Sequence, residues 1–128
     1  MRRRLMNTQS KSITKGELEA AFTKAIVKFE KDYLGRGPLD ARTYLINDMV
    51  LVRLRGVLTP AEEKLSETKE GKTLVKNARQ QLFETSRPIL EVFVQDILET
   101  ELIDIFSDVS ADSGERVIVL TVKRIFAK

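Results

Sequence analysis

The feature that most constrains the fold is a pattern that occurs twice: a helical apolar stripe, then two short β-branched segments joined by a tight turn. Apolar side chains that recur every three or four positions predict an amphipathic helix, and short alternating segments predict strands. We therefore predict an α+β domain: two αββ halves form a four-stranded antiparallel sheet, with helices packed mainly on one face and a connecting helix between the halves. The strand-like segments are 42–46, 49–55, 102–110 and 116–125, and the helices before the two pairs are 17–33 and 85–98.

Helix start and stop signals mark the boundaries of this pattern. Residues 14–17 (TKGE) and 59–62 (TPAE) have the spacing of a capping box, which predicts a helix start at each. The run 35–38 (GRGP) ends the first helix, because glycine tolerates the left-handed cap and proline cannot continue the helix. The helix that starts at 59–62 is expected to run to about residue 68, and residues 70–71 (EG) to interrupt it. A longer helix is expected to follow, with Pro88 kinking or dividing it.

The first and third strand-like segments carry apolar residues on both faces, whereas helices are expected to cover only one face. An uncovered apolar sheet face marks an interaction surface. We therefore predict a homodimer or a sheet-mediated partner contact, and the alternative is a monomer with helices on both faces. The candidate interface residues are Tyr44, Ile46, Leu102 and Phe106.

Length and charge indicate one domain with a basic tail. The 128 residues fit a single core, which we assign to 14–128, with 1–13 as a flexible basic tail. Residues 1–16 carry five basic residues and no acid, which leaves 17 of the 22 basic residues against all 19 acidic residues. Because the rest of the chain is nearly neutral and has no recognition motif, nucleic acid is an unlikely partner.

The chain contains neither cysteine nor histidine. Their absence excludes thiolate and Ser-His-Asp catalysis and removes the usual zinc ligands. Asp104 and Asp108 would lie about 13 Å apart on one strand, too far for one Mg²⁺ ion. We expect no enzyme activity, no cofactor and no metal site. Without a long apolar run or a secretory signal, we expect a cytoplasmic protein with no transmembrane segment.

Arginines supply the candidate ligand site. Arg36 lies between two glycines, which lets an anion approach the backbone, and a guanidinium binds phosphate or carboxylate through two parallel hydrogen bonds. Arg42, Arg53 and Arg55 would join it if the hairpin folds back alongside. The alternative is a helix cap with solvated strand arginines paired to acids.

Three segments carry a resemblance to a known family: 29–38 (FEKDYLGRGP), 52–62 (VRLRGVLTPAE), and 108–110 (DVS) leading into 114–119 (GERVIV). With these segments the chain resembles the small bacterial proteins of the Na-translocating system MpsC-like family, over about 16–123. The resemblance implies an accessory role beside a membrane system that generates ion gradients or membrane potential. It carries over no catalytic residues.

Two functions follow as expectations. The first is a non-enzymatic accessory or regulatory protein that dimerises and engages a partner, such as a subunit of an ion-translocating membrane complex. The alternative is a small-ligand sensor that binds a nucleotide or another anion through the arginine cluster.

Overall fold

The computed structural model describes residues 13–127, in which four helices, a π-helical turn and four strands follow one another. Of the predicted basic tail, residues 1–12 lie outside the described residues. In chain order the elements are α1 (Lys15–Tyr33), β1 (Asp40–Ile46), β2 (Met49–Arg55), α2 (Pro60–Leu65), α3 (Lys69–Glu84), α4 (Arg87–Phe93), the π-helical turn (Val94–Leu98), β3 (Leu102–Val109) and β4 (Arg116–Val122).

Both predicted capping boxes start a helix. The Thr14 hydroxyl accepts from the backbone N–H of Glu17, whose carboxylate accepts from the backbone N–H of Thr14. Thr59 and Glu62 make the same reciprocal pair at the start of α2. Each box satisfies backbone donors that a helix leaves unpaired, so these boundaries follow from local chemistry.

The connecting region differs from the prediction at Gly71. The predicted interruption is present, but it lies at 66–68 instead of 70–71: α2 ends at Leu65, and Gly71 lies in the first turn of α3, where its N–H donates to the Thr68 hydroxyl. A Cβ atom at Gly71 would lie 1.6 Å from the backbone oxygen of Leu65. Glycine is there because the two helices approach closely. The predicted division near Pro88 is confirmed, since α3 ends at Glu84 and Pro88 lies in the first turn of α4.

The two hairpins lie side by side in one antiparallel sheet with strand order β1-β2-β4-β3. The predicted tight turn between β1 and β2 is confirmed, with Asn47 in the left-handed region at φ 54°. Alternate strand residues are buried under the helices. The predicted α+β fold, with helices mainly on one face, is therefore confirmed.

The core lies between the helices and one face of the sheet. Phe29 of α1 packs edge-on against Phe83 of α3 and Phe93 of α4, with ring centroids 6.4 Å and 6.5 Å apart. Edge-to-face aromatic pairs add to the stabilisation from burial. This aromatic cluster joins the helices into one layer, and the layer leaves the opposite sheet face uncovered.

Candidate functional site: the open face of the sheet

The sheet face that points away from the helices carries an unbroken apolar row. Residues paired across neighbouring strands share a face, and the register aligns one apolar residue from each of the four strands. In strand order, this apolar row consists of Tyr44, Leu51, Val119 and Phe106. Its two outer members are the most exposed, Tyr44 at 41% and Phe106 at 58%. The open face is therefore apolar across its whole width.

Two further rows flank the apolar row, and they differ in charge. The row beside the β1–β2 turn, here the turn row, consists of Ile46, Met49, Thr121 and Asp104. The row on the other side, here the charged row, consists of Arg42, Arg53, Val117 and Asp108. Positive charge therefore lies over β1 and β2, and negative charge lies over β3.

Three of the four predicted interface residues, Tyr44, Ile46 and Phe106, lie on the open face. The fourth, Leu102, does not: it pairs with Val122, whose side chain is buried under the helices, and it packs against the core. The register shifts between Leu102 and Asp104. A bulge adds one residue to a strand, so simple alternation from Phe106 placed Leu102 on the wrong face.

The predicted arginine site is partly assembled. Arg42, Arg53 and Arg55 line one shallow depression of about 210 Å³ on the open face, together with Asp40 and Tyr44. Arg42 and Arg53 are direct cross-strand neighbours, so two like charges lie side by side. Arg55 lies opposite Asp40 in the register. The Asp40 carboxylate therefore compensates part of the positive charge in the depression.

The remaining contacts of the predicted arginines reduce the size of that site. Nη1 of Arg36 donates to the backbone oxygen of Leu58 at 3.2 Å, and Arg36 is not among the residues that line the depression. Arg53 forms a salt bridge with Glu115. On the open face, Arg53 therefore has Glu115 and Arg55 has Asp40 as an acidic neighbour. For Arg42, no salt bridge and no carboxylate directly across the strand pair is found within residues 13–127.

Side chains occupy backbone groups on both edge strands of the sheet, in contrast to its open face. On edge strand β1, the backbone N–H of Leu45 donates to the Glu19 carboxylate at 2.8 Å. On edge strand β3, the side chains of Gln80 and Arg87 donate to backbone oxygens at 3.0 Å and 3.2 Å. Side chains that occupy edge groups oppose strand addition. These three contacts therefore oppose strand addition along parts of both edges.

The core contains a network of buried charged side chains that was not predicted from the sequence. Glu30 of α1, Arg79 of α3 and Arg116 of β4 are each at most 1% exposed. The Glu30 carboxylate lies 3.8 Å from Nη1 of Arg79 and 3.7 Å from Nε of Arg116. Arg79 also pairs with Glu62 of α2 at 2.7 Å. The network therefore connects three helices and a strand.

Burial dominates the electrostatics of this network. It raises the pKa of the Glu30 carboxyl, against the opposing effect of the Arg116 and Arg79 guanidinium groups. Burial likewise lowers the pKa of the Arg116 guanidinium, although the Glu30 charge opposes this. Side chains that water does not reach cannot contact a substrate in this conformation, so we assign the network a structural role.

Comparisons with known proteins cover most of the chain. A family model described as "Na+-translocating membrane potential-generating system (MpsC)" matches residues 14–124. Uncharacterized protein YbcI of Bacillus subtilis (strain 168) is 38% identical over 106 residues, which are 83% of this chain and 86% of the relative. Uncharacterized protein YrhF of the same strain is 27% identical over 107 residues, 80% and 85% of the two chains. No solved structure matches. Within residues 13–127, no helix is both long and apolar enough to cross a membrane.

Proposed function

Because the chain belongs to the family of the Na+-translocating membrane potential-generating system (MpsC), we propose that it is a non-enzymatic accessory protein of such a system. In this proposal the protein acts in the cytoplasm as a homodimer, and the dimer associates with subunits of the membrane complex. The observation that carries the proposal is the apolar row, which spans all four strands of the open face.

The energetics of the apolar row support assembly. Fully burying one large apolar side chain that was exposed contributes about 1.5–3 kcal/mol, and each protomer offers the exposed parts of Tyr44 and Phe106 beside the half-buried Leu51 and Val119. The charged groups around the row are at its rim, where they keep their contact with water. An apolar centre with a polar rim is the usual composition of a protein interface. The absence of cysteine and histidine supports a non-enzymatic role.

The test is the sodium-dependent part of the membrane potential in a bacterium that carries this gene. We expect deletion to reduce it, as measured with a potential-sensitive dye at several sodium concentrations. Re-expression of the wild type should restore it, whereas Leu51→Lys should not, because a charge in the centre of the apolar row prevents assembly. Leu74→Lys is the matched control: Leu74 is 61% exposed on α3, and this variant should restore the potential. An unchanged potential after deletion would refute the proposal.

The second candidate function is a sensor for a nucleotide or another anion. The observation that favours it is the depression lined by Arg42, Arg53 and Arg55. A ligand that binds only the folded protein raises its unfolding midpoint, so the test is a thermal-shift screen of nucleotides and organic anions. A genuine ligand should lose its effect with Arg42→Ala but not with Arg87→Ala, an exposed arginine on α4. No shift with any compound would exclude this function.

A further inference from the structure

We propose that a second copy of the chain closes the open face in one defined arrangement, with the two-fold axis parallel to the strands. In this arrangement β1 of one protomer lies over β3 of its partner, and β2 lies over β4. The inference rests on the homodimer of the proposed function and adds the geometry of its contact.

The strand order limits the choice of axis. In a face-to-face dimer with two-fold symmetry, the axis lies between the two sheets, and aligned sheets keep their strands within about 30° of each other. An axis parallel to the strands reverses the strand order of the partner, so each edge strand covers the opposite edge strand. An axis that is parallel to the sheets but perpendicular to the strands places every strand over its own copy in the partner.

The charges of the open face separate these two arrangements. With the parallel axis the charged row meets its own reversed copy, so Arg42 lies over the partner's Asp108. With the perpendicular axis the charged row meets the turn row, which places Asp108 over the partner's Asp104 and Arg42 over the partner's Ile46. Opposite charges across an interface favour association, and like charges oppose it. The charge pattern therefore selects the parallel axis.

The contacts that Arg42 and Asp108 make within one protomer also support the parallel axis. Arg42 lies beside Arg53, a like-charged neighbour, and no salt bridge to Arg42 is found within residues 13–127. Asp108 accepts from the backbone N–H of Val109 at 2.9 Å and contacts Lys76 at 3.3 Å, yet its side chain remains 70% exposed. Both side chains therefore expose charge that a second chain can contact, and an acid opposite Arg42 would supply a counter-charge next to the Arg53–Glu115 pair.

The apolar row is complementary to itself under the same axis. Tyr44 lies over the partner's Phe106, and Leu51 lies over the partner's Val119. Two aromatic pairs then flank an aliphatic centre, and aromatic pairs contribute beyond the area that they bury. Ile46 lies over the partner's Asp104 at the rim of the contact, where the carboxylate stays in water.

Charge reversal tests the pairing of Arg42 with the partner's Asp108. Arg42→Asp and Asp108→Arg should each raise the dimer dissociation constant at least about tenfold in sedimentation equilibrium, as expected for a close interfacial charge pair. The double variant should recover the wild-type value, because both pairs re-form with reversed sign. The matched control reverses the exposed Lys28–Asp32 pair of α1 and should leave dissociation unchanged. Losses that add in the double variant would overturn the arrangement, as would a wild-type monomer.

Cysteine cross-linking tests the axis itself, since the native chain has no cysteine. A tagged Tyr44→Cys protein is mixed with untagged Phe106→Cys and treated with a short bismaleimide. The parallel axis predicts the mixed product, and the perpendicular axis predicts that each variant links only to itself. Self-links alone would overturn the arrangement. Mixed cross-links together with an unchanged potential in the deletion strain would refute only the membrane role. A monomer in a strain whose potential does fall would refute only the dimer.

Discussion

Glu30, Arg79 and Arg116 are held out of water together, and each compensates the charge of another. Removing an ion from water costs several kcal/mol after relaxation, and a nearby opposite charge must offset that loss. Arg79 also donates to the backbone oxygen of Val57 at 2.7 Å, and Arg116 donates to the Ser107 hydroxyl at 2.8 Å. These contacts hold the guanidinium groups in place, so the carboxylate between them is the sensitive member of the network.

Removing that carboxylate should destabilise the protein strongly. We expect Glu30→Ala to lower the free energy of unfolding by about 3–5 kcal/mol, because it leaves two guanidinium groups buried without their shared counter-charge. The control is Asp32→Ala, which breaks the exposed Lys28–Asp32 pair on the same helix and should lower it by about 0.5 kcal/mol or less. Urea unfolding measures both variants, and similar small losses for the two would contradict the structural role of Glu30.

Glu62 should make stability fall in acid. Burial acts to raise the pKa of the Glu62 carboxyl, but hydrogen bonds from Arg79 and from the backbone of Thr59 outweigh it, so the pKa is lowered overall. A lowered folded-state pKa stabilises the protein above the unfolded pKa of glutamate, about 4.3, and the benefit is lost as pH falls through the folded value. Hydrogen bonds to a charged group contribute about 1.5–3 kcal/mol. Glu62→Gln should therefore be less stable than wild type by about this amount at pH 7.

The measurement is the free energy of unfolding of wild type and Glu62→Gln from pH 7 down to pH 3. The difference between the two proteins should stay constant down to about pH 5 and shrink below about pH 4.3. A difference that is the same at pH 3 and pH 7 would mean that the carboxylate charge is not what stabilises this contact.

The buried charges carried a signal in the sequence, but their contacts did not. Glu30 continues the apolar stripe of α1, Arg79 lies four residues after the buried Val75, and Arg116 occupies one of the alternate positions of β4 that are buried. Periodicity alone could have predicted burial of all three. It could not predict that they meet, because contacts between distant segments depend on the packing of complete elements.

Elements whose boundaries depend on local chemistry are the ones that the sequence predicted well. The capping boxes at Thr14 and Thr59 and the turn at Asn47 involve residues at most three positions apart. Features that depend on tertiary contact were misplaced or missed: the break before α3 was predicted a few residues too late, and the π-helical turn and the bulge after Leu102 were not predicted. Gly71 illustrates the difference, since glycine disfavours a helix locally but is required here by the approach of α2.

Two glycines in helical first turns should therefore respond in opposite directions to alanine. Gly16 of α1 has no atom within 4 Å of an added Cβ, so Gly16→Ala should raise the free energy of unfolding by about 0.5–1 kcal/mol. Gly71→Ala should lower it by about 1–3 kcal/mol, because the added methyl overlaps the Leu65 carbonyl and must displace the end of α2. Chemical denaturation compares the two variants, and stabilisation by both would disprove the close approach.

At the scale of the whole molecule, the helices suffice to cover one face of the sheet. Four strands about 4.8 Å apart make a sheet about 14–19 Å wide, and two helices packed 8–10 Å apart cover that width in one layer. α1 packs over β1, and α3 packs over β3. The π-helical turn after α4 packs against α1, and α2 packs against α3. The apolar residues of the open face are therefore left uncovered by the helices of the same chain.

Stability should consequently depend on protein concentration. If the dimer is the folded species that covers the open face, mass action raises the thermal midpoint as concentration rises. Phe106→Ser should abolish that dependence and leave the midpoint of the dilute protein nearly unchanged, because Phe106 is 58% exposed in the protomer and contributes to the contact rather than to the core. Leu82→Ser, at an exposed position of α3, should keep the full dependence. The measurement is the thermal midpoint of all three proteins over a hundredfold concentration range, and a wild-type midpoint that does not change with concentration would show that the open face is not covered by a second copy.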